Sequence, residues 1–154
     1  WTIRKRNEIA AKVFAEFRPS YRLPETVSDN ALHILCHPDG LRQFMPNWAG
    51  YAAHFVRQVD REASAGTHPD AAQLREALFC YPGVSEAANL ADSGAEEPLT
   101  LHLQRSSTSL AFYTAFSAIE LPAAGRPKRV KIEYLYPADN LTKQIVQGLS
   151  DFSG

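Results

Sequence analysis

The apolar residues of this chain keep two different periods. From Asn7 to about residue 91 they recur every three or four positions, the spacing of helices that bury one face. From Leu99 to Tyr136 they alternate, the spacing of half-buried strands. In the first region, Asn7 can cap a helix carrying Ile9, Ala10, Val13, Phe14 and Phe17, which Arg18-Pro19 closes. Residues 19 to 29, with Pro19, Pro24 and Asp29, read as a loop. Asn30 caps a short helix that reaches Cys36, and His37-Pro38-Asp39-Gly40 is a turn before one more helical turn at residues 41 to 45. The strongest helix spans residues 47 to 64. Trp48, Tyr51, Ala52, Phe55, Val56, Val59 and Ala63 form one wide stripe, with Arg57, Asp60 and Arg61 outside it. Gly66 stops it. Thr67 or Asp70 begins another helix, through Ala71, Leu74, Leu78 and Phe79, and Tyr81-Pro82-Gly83 ends it. Residues 83 to 91 allow one more short helix, and the acidic run at 92 to 98 is a loop.

After Pro98 the alternation takes over. Leu99, Leu101 and Leu103 share one face of a strand against Thr100, His102 and Gln104. Residues 105 to 109 form a turn. Residues 110 to 121 form a second strand with bulk on both faces, which predicts a central position. A Pro/Gly loop at 122 to 128 leads to a third strand, residues 129 to 136. Its more apolar side, Val130, Ile132, Tyr134 and Tyr136, is expected to face the core, and Lys131 and Glu133 the solvent. A closing helix runs over 139 to 149 through Leu141, Ile145, Val146 and Leu149. Residues 1 to 4 alternate weakly and read as a strand or the end of one. A block of helices followed by an antiparallel meander predicts an α+β fold, an antiparallel sheet with helices packed on one face. At 154 residues, with no internal repeat, the whole length 1–154 reads as one domain.

Composition narrows the function classes. Net charge is −1, so no overall electrostatic pull toward nucleic acid or an anionic membrane exists. No apolar run approaches the ~20 residues of a membrane span. The two cysteines, Cys36 and Cys80, sit in apolar stretches and read as buried free thiols of a cytoplasmic protein.

The nearest approach to a reactive motif is His33, Cys36 and His37. Four residues apart on a continuous helix, the two imidazoles would share a face as metal ligands do. Pro38 ends the helix at once, and no third ligand is in place. Cys36 and His37 are adjacent, so they point about 100° apart and do not suit a nucleophile–base pair. The chain has no phosphate loop, no serine elbow and no paired zinc-type cysteines. No catalytic residue, metal or cofactor is therefore assigned, and the chain is not expected to be an enzyme. The positive signal is aromatic. Phe44, Trp48, Tyr51 and Phe55 share one helical face, and Phe112, Tyr113 and Phe116 lie in the central strand. These residues suit an ordinary core. They also suit the wall of a small apolar cavity between helix and sheet, with Asn47, His54, Tyr113 or Thr114 pointing in.

The order of these pieces carries a resemblance. The pattern N-A-L-H-x-L-x-H-P-D-G-L-R-x-F-x-x-N-W at residues 30 to 48 resembles the ligand-binding domain of MmyB-like bacterial transcription regulators. Trp1, Asn7, Ala10, Ala11 and Phe14 are similar to the start of that domain. So are HPDAAQLREAL and YPGV in the middle, and LTLHLQ, SLAFYTAFSAI and VKIEYLYPAD toward the end. The likeness covers nearly the whole chain and implies a PAS-like fold. It also implies that a first strand and an Xre-type helix-turn-helix domain precede Trp1, so DNA would be met only through that upstream domain. It further implies a pocket for a small lipophilic ligand of the fatty-acid kind. From the stripe, the expected ligand-binding residues are Phe44, Asn47, Trp48, Tyr51, Phe55, Phe112, Thr114 and Phe116. A homodimer is expected, because a palindromic operator needs two-fold symmetry. The alternative reading is a dimerisation module of the same regulator, with a filled core and no ligand.

Overall fold

Two asparagines start helices by the same device. The Asn7 carboxamide oxygen accepts the Ala10 N–H at 2.7 Å, and that of Asn30 accepts the N–H groups of Leu32 and His33 at 2.9 and 3.2 Å. Each satisfies donors that the first helical turn leaves free. The computed structural model describes residues 1–18, 23–66, 70–90, 98–122 and 128–151. Its helices are α1 (Glu8–Glu16), α2 (Glu25–Ser28), α3 (Ala31–Cys36), α4 (Trp48–Ser64), α5 (Ala71–Phe79), α6 (Val84–Ala88) and α7 (Asn140–Asp151), with a 3₁₀ turn at Leu41–Phe44. Its strands are β1 (Thr100–Arg105), β2 (Thr108–Leu121) and β3 (Lys128–Pro137). The predicted loops at 92–98 and 122–128 fall largely outside the described residues, as does His68.

Helix α2 corrects the later part of the loop expected from 19 to 29, of which residues 19–22 lie outside the described ones. Pro24 reads as a breaker in the sequence, but its fixed φ suits the start of a helix, and its carbonyl accepts the Val27 and Ser28 N–H groups. The N-terminal alternation amounts to one β-bridge, Thr2 to Asn30.

The sheet is antiparallel in the order β1-β2-β3, with β2 central as predicted. Leu101, Leu103, Leu110 and Phe112 lie on its helix-facing side and are buried with Val56 and Val59 of α4 and Leu78 of α5 in one core. Helix α4 buries both flanks, packing on the sheet and on α5 and α6. The Trp48 indole N–H donates to the Leu35 carbonyl at 2.8 Å, which ties α4 to α3. Two glycines permit this packing. A Cβ on Gly40 would lie 2.1 Å from the Ile34 carbonyl oxygen. Gly83 has φ +78° and lies against Arg42, whose guanidinium sits 3.6 Å over the Trp48 ring.

Strand β3 faces the opposite way from expectation. Its register with β2 sets Glu133 opposite Phe116 and Leu135 opposite Thr114, so Lys131, Glu133 and Leu135 share the helix side with Phe112. Lys131 pairs with Glu62 of α4 at 3.6 Å, and Glu133 meets Tyr51 of the same helix. Val130, Ile132, Tyr134 and Tyr136 occupy the other face, where Tyr134 and Tyr136 are exposed. Alternation marks two faces. The helices decide which is covered, and the far half of β3 meets the polar flank of α4.

Ile145, Val146 and Leu149 of α7 pack against the core as expected, but the first position of the stripe does not. Leu141 is 57% exposed and Thr142 is fully buried. Thr142 accepts the Ala111 N–H at 2.9 Å through its hydroxyl, while its own N–H donates to Asp139 at 2.7 Å. Burying a threonine costs little when its polar atoms are paired.

Leu103 lies fully buried between sheet and helices. Leu103→Ala should lower the unfolding free energy by roughly 2–5 kcal/mol, and Leu141→Ala by less than about 0.5 kcal/mol, in urea denaturation.

Candidate functional site

Five of the eight residues expected to bind a ligand come together between α4 and the sheet. Phe55 is the hub: its ring meets Tyr51 at 5.2 Å, Phe116 at 5.5 Å and Trp1 at 5.8 Å between centroids. The amphipathic period of α4 puts Tyr51 and Phe55 on one face. The alternation of β2 puts Phe112, Thr114 and Phe116 opposite them. The cluster grades outward. Tyr51, Phe55 and Phe112 are buried, Thr114 is half-buried, and Phe116 is 40% exposed.

A polar group is set into this apolar wall. The Tyr51 hydroxyl lies 3.2 Å from the Thr114 hydroxyl and donates to the Glu133 carboxylate at 3.3 Å. Glu133 as a residue reaches solvent, yet its carboxylate turns back over the sheet toward Tyr51. Burial raises the Glu133 pKa above the ordinary value, while the bond from Tyr51 and the charge of Arg6 act in the opposite sense. Burial also raises the Tyr51 phenol, and the neighbouring Glu133 adds to that. Tyr51 is thus held as a neutral donor. Glu133 and Trp1 were not among the expected site residues. Glu133 was assigned to the solvent face, and only the sheet register brings it back.

The other three expected residues do different work. The Asn47 side chain donates to the Thr100 carbonyl at 2.7 Å and accepts the His102 N–H at 3.3 Å, so it acts as a short partner strand for the free edge of β1. Trp48 points to α3 and Arg42. Phe44 packs edge-on to Phe17 at 6.0 Å, beneath Arg105.

In the His33–Cys36–His37 segment both imidazoles are engaged within the fold. The His33 Nδ1 lies 2.8 Å from the Tyr81 hydroxyl, and the His37 ring packs on Tyr81 at 5.2 Å. The His37 Nδ1 accepts the Asp39 N–H at 3.1 Å and so closes the turn. Burial, and then the neighbouring His37, lower the His33 pKa. Cys36 is fully buried, and burial pushes its thiol up to about 12. Among the described residues no group of three potential metal ligands forms. Cys80, expected to be buried, is exposed, because it follows the last turn of α5 and lies off its buried face.

Two surface hollows lie elsewhere. One of about 270 Å³ is lined by Asn7, Glu8, Ile9 and Ser150. One of about 370 Å³ is lined by Ala15, Glu16, Phe17, Arg105, Ser106 and Thr108. Neither touches the Phe55 cluster.

Two tests follow from these environments. At pH 8 a thiol reagent should modify Cys80 quickly and Cys36 only on unfolding, because only the thiolate reacts. Two fast thiols in the folded chain would contradict the burial of Cys36. The second test uses pH. A folded-state pKa for Glu133 above its unfolded value means that the folded form binds the extra proton, so stability falls as pH rises through that window. Glu133→Gln should match the parent at pH below ~4, the ordinary carboxyl range, and be the more stable protein at neutral pH in chemical denaturation.

No curated protein and no solved structure matches this chain. Among the described residues no helix is long and apolar enough to cross a membrane. The family described as the MmyB-like transcription regulator ligand binding domain matches residues 1–149, so the chain belongs to that family of regulatory, ligand-sensing domains.

Proposed function

We propose that this domain senses a small lipophilic acid of the fatty-acid kind, held in the wedge between α4 and β2–β3. One observation carries the reading: the polar group Tyr51–Thr114–Glu133 lies at the inner end of a chain of aromatic rings that reaches solvent at Phe116. Apolar walls with a few convergent polar groups suit small ligands that have an apolar body and one polar end. The Tyr51 hydroxyl is a neutral donor that already holds one carboxylate, that of Glu133. A ligand carboxylate would take the place of Glu133 on Tyr51, with Arg6 nearby to balance charge. The body of the ligand would part the Phe116 and Trp1 rings from Phe55. Opening the wedge costs packing, so the ligand favours an open conformation of the domain and can bias a regulator by binding that state more tightly. DNA would then be contacted by a separate Xre-type helix-turn-helix domain of the same cytoplasmic regulator.

A second reading, dimerisation with a filled core, is favoured by the same rings. Tyr51, Phe55 and Phe112 fill the wedge in the structure. Titration separates the two. Saturated fatty acids of increasing length should raise the melting temperature and appear as bound mass in native mass spectrometry. Tyr51→Phe should weaken carboxylate ligands about tenfold, the worth of one charge-assisted hydrogen bond. Glu133→Gln should strengthen them by removing a competing carboxylate. Unshifted melting and ligand-free spectra across the series would leave dimerisation as the function.

A further inference from the structure

The outer face of the sheet, opposite the helices, is uncovered among the described elements. Tyr113, Ile119, Leu121, Tyr134 and Tyr136 stand on it at 43%, 45%, 47%, 40% and 56% exposure. Large apolar side chains present ~200 Å² each when fully bare, so these five leave on the order of 450 Å² in water. That lies within the ~300–600 Å² of the largest contiguous patch on a typical monomer, a size of patch that is often functional. The cross-strand register makes the patch continuous: Tyr113 is opposite Tyr136, Ala115 opposite Tyr134, Ser117 opposite Ile132 and Ile119 opposite Val130. None of these side chains is charged.

We infer that this face is the interface between two copies of the chain, paired sheet to sheet across a two-fold axis. The reasoning rests on charge and area. The middle of the patch, from Tyr113 to Ile119 and from Val130 to Tyr136, offers no charge to select a charged partner, and Lys128 stands only at its far end, opposite Leu121. That middle fits a surface equally neutral and apolar, and a two-fold axis brings such a surface to it, namely the same patch on a second copy. The net charge of −1 sets up almost no repulsion between the copies. The five bare side chains supply more than half of the ~800 Å² per partner of a standard interface, and Ala115, Ser117, Val130 and Ile132 lie between them to supply more. The far half of the β2–β3 hairpin adds a further reason. From Ala118 to Leu121 the strand is accessible on both sides. A two-stranded ribbon without a covered face is marginally stable in water. A second copy would cover it. The stacked Tyr134 and Tyr136 rings, 6.3 Å apart, offer rigid aromatic area of the kind that interfaces favour, and the Tyr134 hydroxyl already bonds Ser117 at 3.3 Å.

Sedimentation velocity on the 154-residue chain tests this. The parent should sediment as a dimer at micromolar concentration. Ile119→Glu and Tyr134→Glu place like charges across the axis and should weaken the dimer at least about a hundredfold, with an unchanged circular dichroism spectrum. Ala115→Arg, at an exposed position with a smaller side chain, serves as a second variant should a glutamate disturb folding, and should also give a monomer. A parent that stays monomeric up to millimolar concentration overturns the inference. So does a dimer that survives all three substitutions, because the pairing then uses another surface.

Discussion

Helix α4 has two flanks to bury, and most of the structure consists of what buries them. Its stripe from Trp48 to Val59 is too wide for one neighbour. The sheet leucines and Phe112 take one flank, while α5 and α6 take the other. Burial of apolar area stabilises at roughly 25 cal/mol per Å², so a helix apolar over this arc contributes more than any single hydrogen bond nearby. Without α4 the helix side of the sheet would keep only α7 and the Leu41–Phe44 turn against it, and α5 and α6 would have no wall to pack on. The Trp48 indole bond to Leu35 and the Asn47 clamp on β1 fix where along the helix that burial begins.

The polar group at Tyr51 stands out against this background. Apolar residues in its place would pack without the cost of desolvating a hydroxyl and a carboxylate. Tyr51, Thr114 and Glu133 satisfy one another, which keeps that cost small, and they leave a donor in an apolar wall. A domain of a ligand-binding family has reason to keep such a group. The two faces of the sheet differ in what they carry. The helix side holds the aromatic wedge, and the outer side holds exposed tyrosines.

Much of this was legible in the residues, and the failures have physical causes. The period of α4, the central place of β2 and the end of α3 before His37 follow from spacing and from Pro38. The inversion of β3 is not legible in the sequence, because both alternating sets can face a core and the more apolar one is the one left outside. Lys131 and Glu133 face α4 because Glu62 and Tyr51 are there to receive them. Pro24 was ambiguous between breaker and helix start. Leu141 lost its inward place to Thr142 because Asp139 and Ala111 pair the threonine. At the candidate site, Tyr51, Phe55, Phe112, Thr114 and Phe116 were gathered from two separate periodicities and do meet. Phe44, Asn47 and Trp48 share the stripe but reach other neighbours. Position along a helix face does not say which of two flanks a side chain covers.

The sequence by itself determined the class of the fold, the length of its main helix, the order of its strands and the family to which it belongs. These depend on local periods, caps and breakers, and on their order along the chain. The tertiary structure alone decided which face of β3 is covered, that Glu133 reaches Tyr51, that Cys80 is exposed while Cys36 is not, and that the tyrosine face of the sheet is bare. Each depends on how one element is seated on another, and a residue's own neighbours in sequence carry no record of that.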